Sequence, residues 1–148
     1  MYEPLVEQVS QDVVLVLQQG GERGAVRRAV GMQVMSVLGN VEVTAVSMEQ
    51  IAYAAMRGSF QAAEQTGLPI EIVGEEASAG ILEAVKEKGG KATQHLPEAI
   101  QGALAAVEEY TAKLKEKASE VAEKSRKALQ SLIERLKTSP QRSGGGVR

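Results

Sequence analysis

Hydrophobic residues recur every three or four positions along most of this chain, with polar residues between them. This spacing predicts amphipathic helices over residues 3–18 and roughly 23–37, separated by the glycine-rich sequence QQGGERG. Around Gly39 and Asn40 the apolar residues alternate instead, which is typical of a β-hairpin. The pattern therefore leaves two alternatives for residues 34–46, a hairpin or helices.

Three blocks of 22 residues align without gaps over residues 46–67, 68–89 and 90–111. In each block alanine, glycine and alanine are spaced by three and then four residues, so they lie on one helical face. Self-similarity at a fixed period predicts that each block holds one main helix and buries this face against neighbouring helices. The predicted helix-packing positions are Ala55, Gly58, Ala62, Ala77, Gly80, Ala84, Ala99, Gly102 and Ala106.

The repeated glycine needs a physical reason, because glycine inside a helix costs about 1 kcal/mol relative to alanine. Its recurrence at one position of three blocks indicates that close approach of two helices offsets the cost. A glycine tolerated on an exposed face is the alternative. Small-residue packing inside a membrane is less favoured, because charged residues lie in the same blocks.

Several residues mark predicted helix starts. Ser47 and Gln50 have the spacing of a capping box. Pro69 follows the glycine that closes the first block, and Pro97 precedes Glu98 in a predicted first helical turn.

The C-terminal part predicts one long helix over about residues 97–137, because no proline follows Pro97 and no glycine follows Gly102 within it. Its apolar or small positions recur by steps of three, four and four, an eleven-residue period typical of a nearly straight helix. Residues 138–148 are predicted to form a disordered tail. The predicted amphipathic stripe contains Val107, Leu114, Val121, Leu129, Leu132 and Leu136.

Composition narrows the fold class. Aromatic residues make up only 3% of the 148 residues, so the core must be built from Ala, Val, Leu, Ile and Met. This favours packed helices over a sandwich or barrel. The prediction is a single all-α domain over residues 1–137, either an antiparallel helical bundle or a short helical-repeat array of Gly/Ala blocks with a long C-terminal helix.

Charge and cysteine content exclude several classes. The chain has no cysteine, and hence no disulfide framework or thiolate metal site. Acidic residues near the N-terminus are atypical of a signal peptide, and the longest apolar run, at 13–17, is too short for a membrane span, so the prediction is cytoplasmic. An acidic body followed by a mildly basic C-terminal part argues against nucleic-acid binding.

No motif predicts a catalytic, cofactor or metal site. His95 is the only histidine and has no second ligand or nucleophile beside it, so we interpret it as a surface or capping residue. The pairs at 75–76 and 108–109 are adjacent glutamates, interpreted as solvated faces. The sequence GGERGAVRRAVG lacks the Lys-Ser/Thr of a phosphate-binding loop, and its arginines are also interpreted as solvated.

The sequence YTAKLKEKASEVAEKSRKA resembles the eleven-residue repeats of late embryogenesis abundant proteins, and more loosely the helices of phasins, which coat polyester granules. This compositional resemblance covers residues 103–137. It implies an amphipathic helix that lies on an apolar surface or folds against partners. The glycines and prolines of the 22-residue blocks depart from the late embryogenesis abundant pattern, and so argue against an intrinsically disordered protein.

Two functions follow as hypotheses. The favoured one is a non-enzymatic scaffold or assembly protein that forms a homo-oligomer or docks a protein partner. The alternative is an amphipathic protein that coats an anionic lipid or polymer-granule surface. The same eleven-residue pattern also includes the small residues Ala118 and Ser125, which suit helix packing better than insertion. An enzyme is the third choice, because the chain supplies no recognisable catalytic constellation.

Overall fold

The computed structural model describes residues 2–20, 23–67, 70–116 and 119–145, and every regular element within these ranges is a helix. The all-α prediction is thus confirmed. The helices are α1 (Glu3–Gln18), α2 (Arg23–Leu38), α3 (Ala45–Thr66), α4 (Ile70–Lys88), α5 (Lys91–Gln94), α6 (Leu96–Lys115) and α7 (Glu120–Gly145). Except for the one-turn α5, these are the main helices of the fold.

The main helices form a two-layer array. Each packs against the next main helix along the chain and against the next but one, so α1, α3 and α6 make one layer and α2, α4 and α7 the other. Within a layer the helices run parallel, as the pair α3 and α6 illustrates. Gly102 of α6 packs against Glu49 and Tyr53 of α3. Tyr110, eight residues further along α6, contacts Phe60, which is also further along α3. Such nearest-neighbour packing is characteristic of helical-repeat proteins.

Helices α3 and α4 occupy the first two 22-residue blocks. Gly67 ends α3 in the left-handed conformation with φ of 73°, and its amide donates to the carbonyl of Ala63 at 2.9 Å. Gly89 follows α4 with φ of 69°. Glycine at these positions permits a turn that a side chain would strain.

The third block is organised differently from the first two. It opens with α5, and its main helix begins only at Leu96 and continues past the block to Lys115. Pro97 and Glu98 lie in the first turn of α6, as the sequence predicted. Pro69, by contrast, lies outside the described residues.

Residues 34–46 contain no strand in the structure. Helix α2 continues to Leu38, a turn follows at Gly39 and Asn40, and α3 begins at Ala45. The Asn40 side chain donates to the carbonyl of Ser36 at 2.8 Å, which closes the end of α2. The hairpin alternative is therefore wrong.

The cap of α3 lies three residues before the predicted one. Thr44 is the N-cap, its side chain accepts from the Ser47 amide, and the Ser47 hydroxyl accepts from the Thr44 amide at 2.8 Å. The Ser47–Gln50 capping box is thus wrong, because Ser47 already serves as the third residue of the true box. Serine there replaces the usual Glu or Gln of the motif.

Replacing Thr44 with alanine is expected to lower the free energy of unfolding by about 1 kcal/mol, because the Ser47 amide loses its acceptor. Gln50→Ala is the control, since Gln50 lies inside α3, and it is expected to change stability by less than about 0.5 kcal/mol. Urea unfolding followed by circular dichroism measures both. Equal losses in the two variants would contradict the Thr44 cap.

The single helix predicted over 97–137 is wrong, because α6 ends at Lys115 and α7 begins at Glu120. The Ser119 hydroxyl accepts from the Ala122 amide at 3.1 Å and caps the new helix. The break lets α7 fold back antiparallel to α6, with Lys137 near Glu108 and Glu123 beside Leu114. A straight helix would leave its apolar stripe without a partner.

Helix α7 extends through Gly145, into the segment 138–148 for which the sequence predicts a disordered tail, and the disorder of that segment stays a prediction. The Thr138 hydroxyl donates to the carbonyls of Glu134 and Arg135, and so satisfies acceptors in this part of the helix. Residues 146–148 lie outside the described residues.

Candidate functional site

The small-residue positions all lie in the interior of the folded chain. The alanines at these positions are at most 2% exposed, and the three glycines are buried with them. Each glycine faces the helix that precedes its own in the same layer. These buried positions are Ala55, Gly58, Ala62, Ala77, Gly80, Ala84, Ala99, Gly102 and Ala106.

The three repeated glycines make one type of contact. A Cβ placed on Gly58 would lie 2.5 Å from the carbonyl oxygen of Val6 in α1. On Gly80 it would overlap the carbonyl oxygen of Arg27 in α2, and on Gly102 that of Glu49 in α3. Each glycine thus lets two parallel helices of a layer approach until backbone meets backbone, and these faces are occupied inside the chain.

The amphipathic stripe is divided between α6 and α7, and its described members are also buried. Val107 and Leu114 lie on α6, and Leu129, Leu132 and Leu136 lie on α7, each at most 6% exposed. Leu129 and Leu132 reach Gly74 of α4. The Val121 side chain is outside the described residues. A partner or an apolar surface therefore meets other residues unless α7 leaves the core.

An open groove lies between α2 and α4. It has a volume of about 520 Å³, and we call it the α2–α4 groove. Its floor is backbone, because a Cβ on Gly31 would lie 3.3 Å from the carbonyl oxygen of Gly80. The lining residues are Arg27, Arg28, Gly31, Met32, Met35, Ser36, Gly80, Glu83, Ala84 and Glu87.

Met32 is the most exposed large apolar side chain among the described residues, at 71%. It follows Val30 by two positions, and because each residue turns a helix by about 100°, it lies on the side opposite the buried valines of α2. Methionine on a surface is adaptable and is enriched at protein interfaces. The sequence reasoning missed it, although a methionine opposite a valine stripe is a readable signal.

The rims of the α2–α4 groove carry opposite charges. Arg27 and Arg28 lie on α2, and Glu83 and Glu87 lie on α4. Arg27 bonds to Glu83 at 3.3 Å and to Glu76 at 3.1 Å. No ion pair joins Arg28 or Glu87 to another described residue, and both side chains are exposed. Within the described ranges, the groove therefore offers one charge of each sign that has no ion-pair partner.

Glu75 and Glu76 do not form the solvated face that the sequence predicted. Glu76 is 6% exposed and bonds to Arg27 through both oxygens, while Glu75 accepts from Arg135 of α7 at 2.7 Å. The two carboxylates point to opposite neighbours because adjacent residues on a helix point in different directions. Charge pairing across helices, which a single sequence does not reveal, explains their placement.

A second cluster joins α3 and α6. The Tyr53 hydroxyl donates to Glu109 at 2.7 Å, and the Tyr110 hydroxyl donates to Glu64 at 2.6 Å. Burial, followed by the hydrogen bond to Glu64, raises the pKa of Tyr110 above the ordinary value of 10.0. Burial and Glu109 raise the pKa of Tyr53 in the same direction. These phenols stay protonated at neutral pH, so the cluster holds helices together rather than supplying a base.

Glu64→Gln is expected to lower the pKa of Tyr110, because it removes the negative charge that favours the protonated phenol and leaves a neutral amide oxygen as a weaker acceptor. Burial is the larger cause, so the pKa should stay above 10.0. A pH titration followed by phenolate absorbance measures the pKa of Tyr110. The ionisation step that is missing in Tyr110→Phe is the step that belongs to Tyr110. An unchanged highest-pH step in Glu64→Gln would contradict the assignment.

The raised pKa of Tyr110 also makes the free energy of unfolding depend on pH. The folded chain holds the phenol proton more tightly than the unfolded chain does. This contribution is therefore complete below pH 10 and is lost as the pH rises through the folded-state pKa.

Groups that could carry other chemistry are sparse in the described ranges. His95 precedes α6 as its N-cap residue, and its Nδ1 lies 3.3 Å from Glu98. Within those ranges no group of three or more His, Asp or Glu side chains is placed to hold a metal ion. No helix there is both long and apolar enough to cross a membrane.

No protein-family model matches this chain, and no curated protein or solved structure shows significant similarity to it. The comparisons add no support to the resemblance of residues 103–137 to late embryogenesis abundant proteins and phasins. The solvent-exposed surface of the fold is therefore the remaining guide to function.

Proposed function

We propose that this chain is a non-enzymatic helical assembly protein, which acts by self-association or by docking a protein partner. The observation that carries the proposal is the α2–α4 groove, where the exposed Met32 lies on the basic α2 rim, across from the acidic rim of α4. Methionine and arginine are enriched at protein interfaces, and the charged rims supply orientation.

The buried small-residue faces support this choice of surface. They already pack α1 against α3, α2 against α4, and α3 against α6. Docking therefore uses the α2–α4 groove, and the helix pair beneath it is a rigid platform because its backbones are in direct contact. A rigid surface loses less conformational entropy on binding.

The coating alternative has a higher structural cost. The apolar stripe that would enter a lipid or polymer surface is buried by α4, α6 and α7 in one core. A coating protein would have to detach α7 and expose Leu129, Leu132 and Leu136 first. Exposing one buried leucine side chain to water costs about 1.5–3 kcal/mol of free energy.

Two measurements on the unmodified chain test the proposal together. Light scattering at several concentrations is expected to give a fixed multiple of 15.7 kDa. Circular dichroism is expected to show the same helix content with and without vesicles of anionic phospholipid. A monomer that gains helix only on vesicles would overturn the assembly function in favour of coating.

A further inference from the structure

We propose that the occupant of the α2–α4 groove is a second copy of this chain, related by a twofold axis. This inference rests on the proposed function and names its partner. It is carried by the groove's own charge arrangement, with a basic rim on α2 that also carries exposed methionine and an acidic rim on α4.

A twofold interface uses the same patch on both copies, so the patch must be complementary to itself. The α2–α4 groove meets this condition. When Arg28 of one copy contacts Glu87 of the second, the symmetry places Glu87 of the first against Arg28 of the second. One geometry therefore forms two ion pairs.

The residues available for these pairs are the ones without an ion-pair partner among the described residues. Arg27 is bonded to Glu76 and Glu83, whereas Arg28 and Glu87 are exposed and uncompensated within those ranges. Glu83 and Glu87 are also like charges four residues apart on α4, an arrangement that a cation from outside would relieve.

The α2 rim also supplies apolar contact. Met32 is 71% exposed, and Met35 lies one turn further along the same rim. In a twofold pair the two Met32 side chains shield each other from water beside the buried Ala84 of each copy. A central apolar contact with a charged rim is the usual anatomy of an interface.

The charge balance favours a second copy over a peptide of one dominant sign. The α2–α4 groove carries two arginines and two glutamates. An acidic peptide would be attracted by the α2 rim and repelled by the α4 rim, and a basic peptide the reverse. A copy that presents both rims in the opposite order avoids this conflict.

Charge exchange at Arg28 and Glu87 gives the test. Arg28→Glu alone and Glu87→Arg alone each place like charges together twice, so each is expected to raise the dimer dissociation constant about 100-fold. An equimolar mixture of the two variants recovers two attractive pairs. It is therefore expected to form a heterodimer of about twice 15.7 kDa in light scattering.

Matched apolar variants test this apolar contact. Met32→Glu is expected to weaken the dimer about 100-fold, whereas Val46→Glu is expected to change it less than about twofold. Val46 is also exposed, at 65%, but lies on α3 outside the groove. Circular dichroism must show the same helix content for all four variants. A variant that loses helix is replaced by Arg28→Ala or Glu87→Ala.

The outcomes separate this inference from the proposed function. A wild-type oligomer that Arg28→Glu, Glu87→Arg and Met32→Glu leave intact would overturn the groove as its interface, while assembly would stand. A wild-type chain that stays monomeric throughout the concentration series would overturn the second copy as occupant. Single variants that dissociate, with a mixture that restores the dimer, would support it.

Discussion

Gly102→Ala is expected to lower the free energy of unfolding by about 2–3 kcal/mol, although alanine is the better helix former. The Cβ would overlap the carbonyl oxygen of Glu49, and it would lie 3.1 Å from the Tyr53 amide nitrogen. Both groups are backbone, so relief requires α3 and α6 to separate. Urea or thermal unfolding, followed by circular dichroism, measures the loss.

Gly24→Ala is the matched control for this prediction. Gly24 also lies in a helix, but the atom nearest to its added Cβ is the Nη1 of Arg28 at 3.3 Å, the mobile end of an exposed side chain. Stability should stay the same or rise by up to about 1 kcal/mol. A Gly102→Ala chain as stable as the wild type would show that the contact does not require glycine.

Phe60→Ala is expected to lower the free energy of unfolding by about 3–5 kcal/mol. Phe60 is the only phenylalanine, is 2% exposed, and stacks on Tyr110 with ring centroids 4.9 Å apart. Its ring also lies 3.2 Å from the Cβ position of Gly74 in α4. The substitution would open a cavity where α3, α4 and α6 meet.

Phe60→Leu and Leu15→Ala bracket this result. Leucine keeps most of the volume, so the loss should fall to about 1 kcal/mol. Leu15 is 53% exposed on α1, and its truncation should cost less than about 0.5 kcal/mol. Chemical denaturation compares the three. Equal losses for Phe60→Ala and Leu15→Ala would contradict a tightly packed junction of three helices.

The helical fold follows closely from local signals. The valines and leucines of α1 and α2 recur at helical spacing, and the predicted ranges 3–18 and roughly 23–37 match Glu3–Gln18 and Arg23–Leu38. The repeated glycines pointed to close helix contacts because glycine has no other advantage inside a helix. The structure places each of them against the backbone of another helix.

Other features depended on competition between signals or on tertiary contacts. Ser119 followed by Glu120 and Glu123 is a readable N-cap signature, but the prediction used only the eleven-residue period and the lack of proline and glycine, and so did not include this cap. The burial of Glu76 requires Arg27, 49 residues earlier in the chain. The α2–α4 groove is formed by two helices from separate parts of the chain, so only the fold places Glu87 on the same groove as Arg28 and Met32.

The central claim is that the faces with the repeated glycines pack against other helices of the same chain. The α2–α4 groove is then the surface that remains for assembly. Thermal unfolding of Met32→Glu, at concentrations where this weakened variant is a monomer by light scattering, tests it most directly over a dilution series. If the core is intramolecular, the Tm stays constant and unfolding stays cooperative at every concentration. A Tm that falls with dilution would show that the helices need a second chain to fold, and would contradict the account.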